Sequence, residues 1–342
     1  MCGTVGLFTG CQALTYCPKK AILTNVGGAL SPTDDEYQSP FRTWYSKASV
    51  RKSPRRMVEE GDEDAYFFSP DLVPVAQHPL VKELAPDAFN GVLLQHLYRY
   101  LDFTAKLEYL VVNRAALGIA QGSVQVEIPD EMRLDAYKIY CDEAYHTLFS
   151  VDLLQQVQRR SGVPATLPAE PYFLTRLRQY LDTLEASRRP LVELLFVVVS
   201  ETLISASLAE VPADDGVHPT VRAVIRDHAA DEGRHHTYFA TLVRYLWAQL
   251  DQSERLFAGA IIPTLIDLFL TPDTPALQNE LQNYGMPADT ARQVLAETYT
   301  PTALATHARM TARQTVRIFA ALGALDDPAA RDAFESAGLL IE

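Results

Sequence analysis

Apolar positions recur with the period of an α-helix over most of this chain, and no segment keeps the alternation of a half-buried β-strand. The expected helices span about residues 86–117, 130–160, 172–187, 190–210, 218–250, 254–270, 275–297 and 301–324. The pattern therefore predicts an all-α protein, in which the four longest helices form a bundle and the others flank it.

The expected inner faces of the four long helices carry acidic and imidazole side chains. In chain order these are Glu108, then Glu143 with His146, then Glu201, then Glu232 with His235. A Glu and a His three residues apart are neighbours on one helix face. Di-iron carboxylate bundles take one Glu from each of two helices and one Glu-x-x-His from each of the other two. The order predicts a ferritin-like helical bundle with a di-iron core, built from two copies of one half-site.

The third of these helices is apolar enough to suggest a membrane span, but its ends and its charges argue against one. Glu193 and Glu201 both lie in it, and Pro190 and Pro212 bracket it. A membrane helix avoids carboxylates, and a carboxylate buried without a partner is costly. Glu201 therefore needs a cation, and a metal ion is the expected one.

Three further side chains stand next to the expected ligands. His228 precedes Glu232 by one helical turn and shares its face, so we expect a third imidazole ligand. Asp142 and Asp231 immediately precede the two Glu-x-x-His glutamates. Metal-bound histidines commonly donate their second N–H to a carboxylate, so we expect each aspartate to orient a histidine of the opposite half. The alternative is a solvated aspartate or an ion pair with an arginine such as Arg234.

Composition supports a cytoplasmic protein that binds neither nucleic acid nor a membrane. The net charge of −13 opposes both of those anionic partners, and no secretory signal is apparent. The four cysteines form no CxxC pair, so they suggest neither zinc nor a disulfide framework. Residues 1–35 lack a sustained period and are expected to be a poorly ordered extension. Residues 36–342 are expected to form one domain, with basic residues between 47 and 56 on a solvated face that pairs with acidic neighbours.

The complete ligand set resembles that of the p-aminobenzoate N-oxygenase family of di-iron enzymes. The motifs that carry the resemblance are E-A-Y-H at 143–146, H-A-A-D-E-G-R-H at 228–235, W-Y-S-K-A-S-V-R-K-S-P-R-R at 44–56 and P-V-A-Q-H-P-L at 74–80. The extra histidine separates this family from ribonucleotide reductases, bacterial monooxygenases and ferritins. The resemblance implies O2-dependent oxidation of an amine nitrogen to a hydroxylamine and on to nitroso or nitro, a homodimer, and a role in natural-product biosynthesis.

Charge and ligand type constrain the cofactor. Four ionised glutamates balance two ferrous ions, which gives a neutral core that a buried site tolerates. Carboxylate oxygens and imidazoles suit iron, with manganese as a possible substitute. With O2 as co-substrate, the site also needs an external electron donor.

The substrate pocket can be read only in outline. The side chains that face inward near the ligands and could line an apolar cavity are Leu97, Leu101, Thr104, Val197 and Phe239. Ordinary bundle core is the alternative for them. Arg309 and Arg313 could bind a substrate carboxylate, or could simply be exposed. An arylamine, an amino acid and an amine bound to a carrier protein all stay open as substrates.

Three other functions are compatible with parts of the pattern. A di-iron C–H hydroxylase or desaturase would use the same metals, although typically with six ligands, which His228 argues against. A ferroxidase or iron-storage bundle would need no organic substrate, and such chains are much shorter. A bundle with a structural ion-pair network would bind no stoichiometric iron.

Overall fold

Helices dominate the part of the chain that can be described. The structure is a computed structural model and describes residues 37–59, 65–207 and 211–340, apart from the side chains of 205–207. Within those ranges there is no β-strand, only an isolated bridge between Tyr66 and Val217. The prediction of an all-α protein is therefore confirmed. The predicted extension at 1–35, with Cys2, Cys11 and Cys17, lies outside the described residues.

Fifteen α-helices occur in the described ranges. They are α1 Trp44–Lys47, α2 Ser49–Lys52, α3 Pro79–Lys82, α4 Pro86–Leu107, α5 Asn113–Ala120, α6 Asp130–Ser161, α7 Tyr172–Asp182, α8 Arg189–Ser207, α9 Pro219–Gln249, α10 Gln252–Leu270, α11 Thr274–Asn283, α12 Ala288–Thr298, α13 Pro301–Thr311, α14 Arg313–Ala321 and α15 Pro328–Ser336. Short 3-10 turns occupy Pro70–Leu72, Pro74–Gln77, Val211–Ala213 and Ala324–Asp326.

Local sequence explains where the main helices begin and end. Pro86 and Pro219 occupy the first turns of α4 and α9, where the missing N–H costs no hydrogen bond. Gly162 ends α6 with φ of 69°, a conformation that disfavours other residues. A capping box between Asp251 and Glu254 starts α10.

Two helix pairs form the bundle that surrounds the expected ligands. One pair is α4 with α6, and the other is α8 with α9; α6 also packs on α9 and so joins them. Between α4 and α5 the helix opens into a π-helical turn, Glu108–Val112. A single π turn inside a helix is frequently found at a functional site.

The segment between α2 and residue 59 crosses the outside of the bundle from α6 to α9. Arg55 forms an ion pair with Asp152 of α6 at 2.7 Å, and Arg56 pairs with Asp227 of α9 at 2.9 Å. The backbone of the segment is also held, because Gln156 bonds both its Val58 N–H and its Arg56 carbonyl. Part of the basic run thus pairs with acidic neighbours.

Several expected helix limits were wrong at the C-terminal end. The helix expected at 275–297 is two helices, since Gly285 adopts φ of 90° and Pro287 precedes α12. The helix expected at 301–324 divides at Ala312 into α13 and α14. Helix α15 was not expected, although Asp327 caps its N-terminus and Pro328 occupies its first turn.

Among the described residues, one helical stretch is long and apolar enough to cross a membrane by length and composition alone. It covers Gln252–Asn283, which includes α10. Helix α10 packs against α7, α8 and α15 and buries side chains such as Ile262 and Leu265. These contacts are those of a helix that packs in the protein core.

Candidate metal centre

The bundle brings all seven expected ligands into its interior. None is more than 2% exposed: Glu108, Glu143, His146, Glu201, His228, Glu232 and His235. Each long helix presents its residues from the buried face that the helical spacing predicts. Seven titratable side chains in one dry interior would be prohibitively costly without a cation to share.

Glu232 is the centre of the cluster, because one of its oxygens faces all three imidazoles. Its Oε1 lies 3.4 Å from Nδ1 of His146, 3.1 Å from Nε2 of His228 and 3.3 Å from Nδ1 of His235. These three histidines come from two different helices, α6 and α9. The cluster therefore forms only when the two half-sites pack together.

The other carboxylates surround this centre. Glu143 places Oε1 2.8 Å from Nδ1 of His235 and Oε2 3.2 Å from Nδ1 of His146. Glu108 places Oε1 3.2 Å from Nε2 of His228. Glu201 stands farther back, 3.9 Å from Nδ1 of His235.

Two groups of ligand atoms are close enough to hold a metal ion each. In one, an atom from each of Glu143, His146, Glu232 and His235 lies within 4.8 Å of the others. In the second, the same holds for Glu108, His146 and His228. His146 belongs to both groups, so the two positions adjoin. Oxygen and imidazole donors of this kind suit iron or manganese.

Unsatisfied polar atoms show that the cluster is incomplete as a hydrogen-bond network. The buried atoms without a hydrogen bond include Oε1 of Glu108, Oε1 of Glu143, Oε2 of Glu201, Oε2 of Glu232 and Nδ1 of His235. The Glu143 and His235 atoms lie 2.8 Å apart but not in hydrogen-bonding geometry. Buried polar atoms normally have a partner, and these five face the same interior. Divalent cations would satisfy them, so the residues present fit a metal centre.

The electrostatics of the cluster point the same way. Burial opposes a charge on His146 and His235, yet hydrogen bonds and charges from the surrounding carboxylates raise both pKa values well above the ordinary value. Burial, with the charges of Glu232 and Glu143, raises the pKa of Glu201 well above its ordinary value. Burial also raises the pKa of Glu108, to about 7. Protons on these side chains thus offset the negative charge of the buried carboxylates.

Asp142 and Asp231 each contact a histidine of the opposite half-site. Nε2 of His235 lies 3.2 Å from Asp142, and Nε2 of His146 lies 3.1 Å from Asp231. If each Nε2 carries the proton and donates it, each Nδ1 presents a lone pair to the cluster. This is the crossed arrangement expected from the sequence.

The two aspartates are held by different donors. The indole N–H of Trp44 donates to both oxygens of Asp142, at 2.8 and 2.9 Å. The backbone N–H of Ser49 donates to Asp231 at 3.1 Å, and Arg234 forms an ion pair with the same carboxylate. Trp44 and Ser49 belong to helices α1 and α2, so the segment before the bundle supports the site. The sequence reading assigned neither residue a role.

Glu108 occupies the first position of the π turn, and its second oxygen is also bound. The hydroxyl of Thr147 donates to Oε2 of Glu108 at 3.2 Å, which leaves Oε1 directed at His228. No sequence pattern indicated this turn.

Tyr100 is a third residue to which the sequence assigned no role. Its hydroxyl is buried without a hydrogen-bond partner, and it lies within electrostatic reach of Glu108 and Glu232. Burial, with those two negative charges, raises the pKa of the phenol, so the hydroxyl stays protonated and can donate. The signal in the sequence was a tyrosine about two helical turns before Glu108, on the same side of the helix.

A cavity of about 350 Å³ lies on the outer side of the cluster. Its wall includes Phe149, whose ring is 5.3 Å from that of His146 and 5.7 Å from that of His228. Arg55 of the crossing segment and Tyr145 of α6 also line it. One aromatic ring thus separates the cavity from two histidines of the cluster.

The residues expected to line a substrate pocket lie elsewhere. All five of the inward-facing set are buried in the bundle core: Leu97, Leu101, Thr104, Val197 and Phe239. None of them lines the cavity beside Phe149. Arg309 is half-buried on α13, and Arg313 is exposed at the start of α14. Their part in substrate binding stays a prediction.

Comparison with known proteins gives two findings. The family described as "P-aminobenzoate N-oxygenase AurF" matches residues 45–323 of the chain. A 4-aminobenzoate N-oxygenase from Streptomyces thioluteus is 26% identical over 253 residues, which cover 72% of this chain and 74% of the relative. The matched region begins next to Trp44 and contains all four helices of the cluster.

Proposed function

Given that this chain belongs to the p-aminobenzoate N-oxygenase family and is therefore an oxidoreductase that oxidises an amine nitrogen, we propose that its substrate is a primary arylamine. An amino-acid-like amine is the second choice. We propose that the product is a hydroxylamine, with further oxidation to nitroso or nitro, within natural-product biosynthesis. The 4-aminobenzoate named for the Streptomyces relative supports the aryl choice.

The observation that carries the proposal is the convergence of three imidazoles on one oxygen of Glu232. The family is one of di-iron enzymes, and we propose two iron ions as the cofactor, with O2 as co-substrate and manganese as a substitute. In this proposal the ligands are Glu108, Glu143, His146, Glu201, His228, Glu232 and His235. Bound iron would supply the binding and reduction of O2.

The chain's own residues would fix the cluster and keep it dry. Asp142 and Asp231 would accept hydrogen bonds from the Nε2–H groups of His235 and His146, which would direct each Nδ1 toward the metals. Trp44 and Ser49 hold the two aspartates in place by hydrogen bonds. The apolar core around them excludes water, which strengthens every charge interaction at the site.

Two features outside the ligand set would act on the substrate. The protonated hydroxyl of Tyr100 would donate to the substrate or to oxygen near Glu108. The cavity beside Phe149 would admit a flat aromatic amine, since its wall is mainly apolar with Arg55 and Arg56 at its border. We keep Arg309 and Arg313 as the alternative pair for a substrate carboxylate.

The partners of the reaction are also proposals. They are an external electron donor, an amine presented free or on a carrier protein, and a second copy of this chain. A cytoplasmic location suits the soluble fold and ferrous iron loading.

The experiment that tests the function is a product analysis. Metal-free protein is loaded with Fe(II), supplied with a chemical reductant and ¹⁸O2, and offered 4-aminobenzoate beside 4-methylbenzoate. We expect labelled oxygen on the nitrogen of the amine and no product from the methyl compound.

The same experiment separates the alternatives. Labelled oxygen on carbon would replace the proposal with C–H hydroxylation. Repeated iron uptake and mineral formation without an organic product would replace it with iron storage. Failure to bind stoichiometric iron would remove the metal assignment itself.

A further inference from the structure

Helices α1 and α2 and the residues beside them form a basic surface on an acidic protein. From Tyr37 to Val58 the sequence has six arginines and lysines and no aspartate or glutamate, although the chain carries a net charge of −13. Arg55 and Arg56 are paired with carboxylates of the bundle. The other four are exposed and form no ion pair within the described part of the chain: Arg42, Lys47, Arg51 and Lys52. We call these four residues the α1–α2 basic surface.

An exposed aromatic ring accompanies these charges. Tyr45 is 68% exposed, and its ring packs edge-on against the ring of Trp44, with the centroids 5.1 Å apart. Trp44 itself is buried, and so are Ala48 and Ser49, which follow it in the chain. Buried residues therefore close the surface beneath its exposed charges.

Trp44 connects this surface to the metal cluster through hydrogen bonds. Its indole N–H donates to the two oxygens of Asp142 at 2.8 and 2.9 Å, and Asp142 lies 3.2 Å from Nε2 of His235. Nδ1 of His235 in turn lies 2.8 Å from Glu143 and 3.3 Å from Glu232. Electrons tunnel more readily through bonded contacts than across gaps of the same length. The short contacts from the indole to the proposed ligands therefore form a route along which electrons can pass.

The proposed reaction needs electrons that the amine does not supply. In one turnover an amine and O2 become a hydroxylamine and water, which consumes two electrons and two protons. Iron–sulfur proteins carry single electrons and deliver them one at a time. Encounters between electron-transfer proteins bury little surface, so their specificity and rate depend on complementary charge.

We propose that the α1–α2 basic surface is the docking site of an acidic iron–sulfur electron-transfer protein, and that its electrons pass through Trp44 and Asp142 to His235. The inference rests on the proposed function, because the electrons serve the proposed iron centre. Two reduced partner proteins are oxidised in turn, and their two electrons return two ferric ions to the ferrous state. Four unpaired positive charges attract an acidic partner and speed its encounter, although the chain as a whole is acidic.

An acidic carrier protein that delivers a bound amine would respond to the same charges. Its arm would have to reach the cluster, but the buried Trp44 and Ser49 close that way. The cavity beside Phe149 is bordered by Arg55 and Arg56 instead, whose charges are already paired. The hydrogen-bonded route beneath a closed surface therefore favours an electron donor.

Binding of a plant-type [2Fe–2S] ferredoxin, an acidic protein, to the iron-loaded chain tests the docking site. Lys47→Glu with Arg51→Glu should weaken binding by about tenfold or more at low ionic strength, because the reversed charges repel the partner. The matched control is Arg244→Glu with Arg317→Glu, which makes the same charge change at exposed positions on α9 and α14. Added salt should weaken wild-type binding, and a basic cytochrome c should not bind. Calorimetry measures the affinities, and circular dichroism shows whether each variant is folded.

Three outcomes would overturn the docking site. Ferredoxin affinity could be unchanged in the surface variant, or it could fall equally in the control. Ferredoxin could also bind at this surface without transferring electrons, which would assign the surface to an acidic carrier protein.

Stopped-flow mixing without O2 tests the route. Reduced ferredoxin is mixed with the oxidised iron-loaded protein, and the return of ferredoxin's own visible absorbance gives the rate of electron transfer. Trp44→Phe removes the indole N–H and should slow this rate by about tenfold or more, while ferredoxin affinity is retained because the four basic residues remain. Trp247→Phe is the matched control, since the ring of Trp247 packs against Phe319 of α14, which carries no expected ligand.

A small reductant separates an electron route from a positioning role of Trp44. Dithionite is not tied to the basic surface, so loss of positioning at Asp142 should slow its reaction as much as that of ferredoxin. We expect Trp44→Phe to lower the ratio of the ferredoxin rate to the dithionite rate by about tenfold. An unchanged ratio would make Trp44 a positioning residue only and would overturn the route.

These measurements use no amine, so they fail separately from the proposed function. A protein that oxidises an amine with a chemical reductant, but is neither bound nor reduced by ferredoxin, would lose this inference and keep the function. A protein that ferredoxin reduces, but that oxidises no amine, would keep the docking site and lose the function.

Discussion

The two half-sites of the cluster share their ligand types but differ in their surroundings. The first half, on α4 and α6, supplies two glutamates and one histidine, and its leading Glu108 stands on a π turn. The second half, on α8 and α9, supplies two glutamates and two histidines, and Glu201 stands on a regular helix. The added His228 reaches across to Glu108 of the first half. The duplicated residues therefore form an asymmetric cluster.

The largest effect should come from the residue that both halves share. Replacement of Glu232 by Ala removes the oxygen that faces three imidazoles, so we expect the bound metal to fall from two equivalents to less than one. Metal analysis after equilibration with Fe(II) measures this. Glu193→Ala, an exposed position on α8, is the control and should leave the stoichiometry unchanged.

Replacement of His228 should make the two metal positions differ in their affinity for metal. His228 contacts Glu108 and Glu232 but belongs to only one of the two ligand groups. We expect His228→Ala to weaken one metal by more than about a hundredfold, since loss of an outer partner alone costs about 10–100-fold. Titration with metal should then show one tight and one weak site. His236→Ala is the control, and an equal loss of both metals would refute the asymmetry.

Asp142 and Asp231 can be compared directly, because each contacts one histidine but is held by different donors. Asp142→Asn and Asp231→Asn should each reduce metal affinity by about 10–100-fold, because each orients one histidine. Asp231→Asn should cost about 1–2 kcal/mol more unfolding free energy, because it also leaves the mostly buried Arg234 without its ion pair. Chemical denaturation of the metal-free variants measures the difference. Equal unfolding free energies would show that the two supports are equivalent.

A buried acid outside both half-sites shows what burial does without a metal. Burial raises the pKa of Glu280 to about 7, although the neighbouring Arg99 opposes the shift. Because the pKa of Glu280 is raised in the folded protein, its protonated side chain stabilises the folded state fully below the unfolded-state pKa near 4.5. This stabilisation is lost as pH rises through the folded-state pKa of about 7. Relative to Glu280→Gln, the metal-free wild-type protein should therefore lose about 2 kcal/mol of stability between pH 5 and pH 8. Parallel stability curves would contradict this.

The sequence could predict the helices and the clustering of the seven side chains because both follow from spacing along single helices. Glu143 and His146 share a face wherever α6 lies. The sequence could not predict that Glu232 lies at the centre, since that depends on how α6 packs against α9. The contacts of Trp44 and Ser49 with the aspartates could not be predicted for the same reason, because they join residues far apart in the chain.

Some of the helix limits that were predicted wrongly did have signals in the sequence. Gly285 and Pro287 mark the end of α11 and the start of α12, and Asp327 with Pro328 marks the start of α15. The π turn at Glu108 had no such signal, since Glu108–Val112 contains neither glycine nor proline.

The crossed pairing of aspartates and histidines restricts how proteins of this kind can exchange parts. His235 is held by Asp142 of the first half, and His146 by Asp231 of the second. A chimaera that took residues 86–161 from a relative would import one histidine together with the aspartate that serves the other. Such a chimaera keeps both aspartate–histidine pairs only if both parents have the crossed pairing. Halves can therefore be exchanged only between relatives that share it.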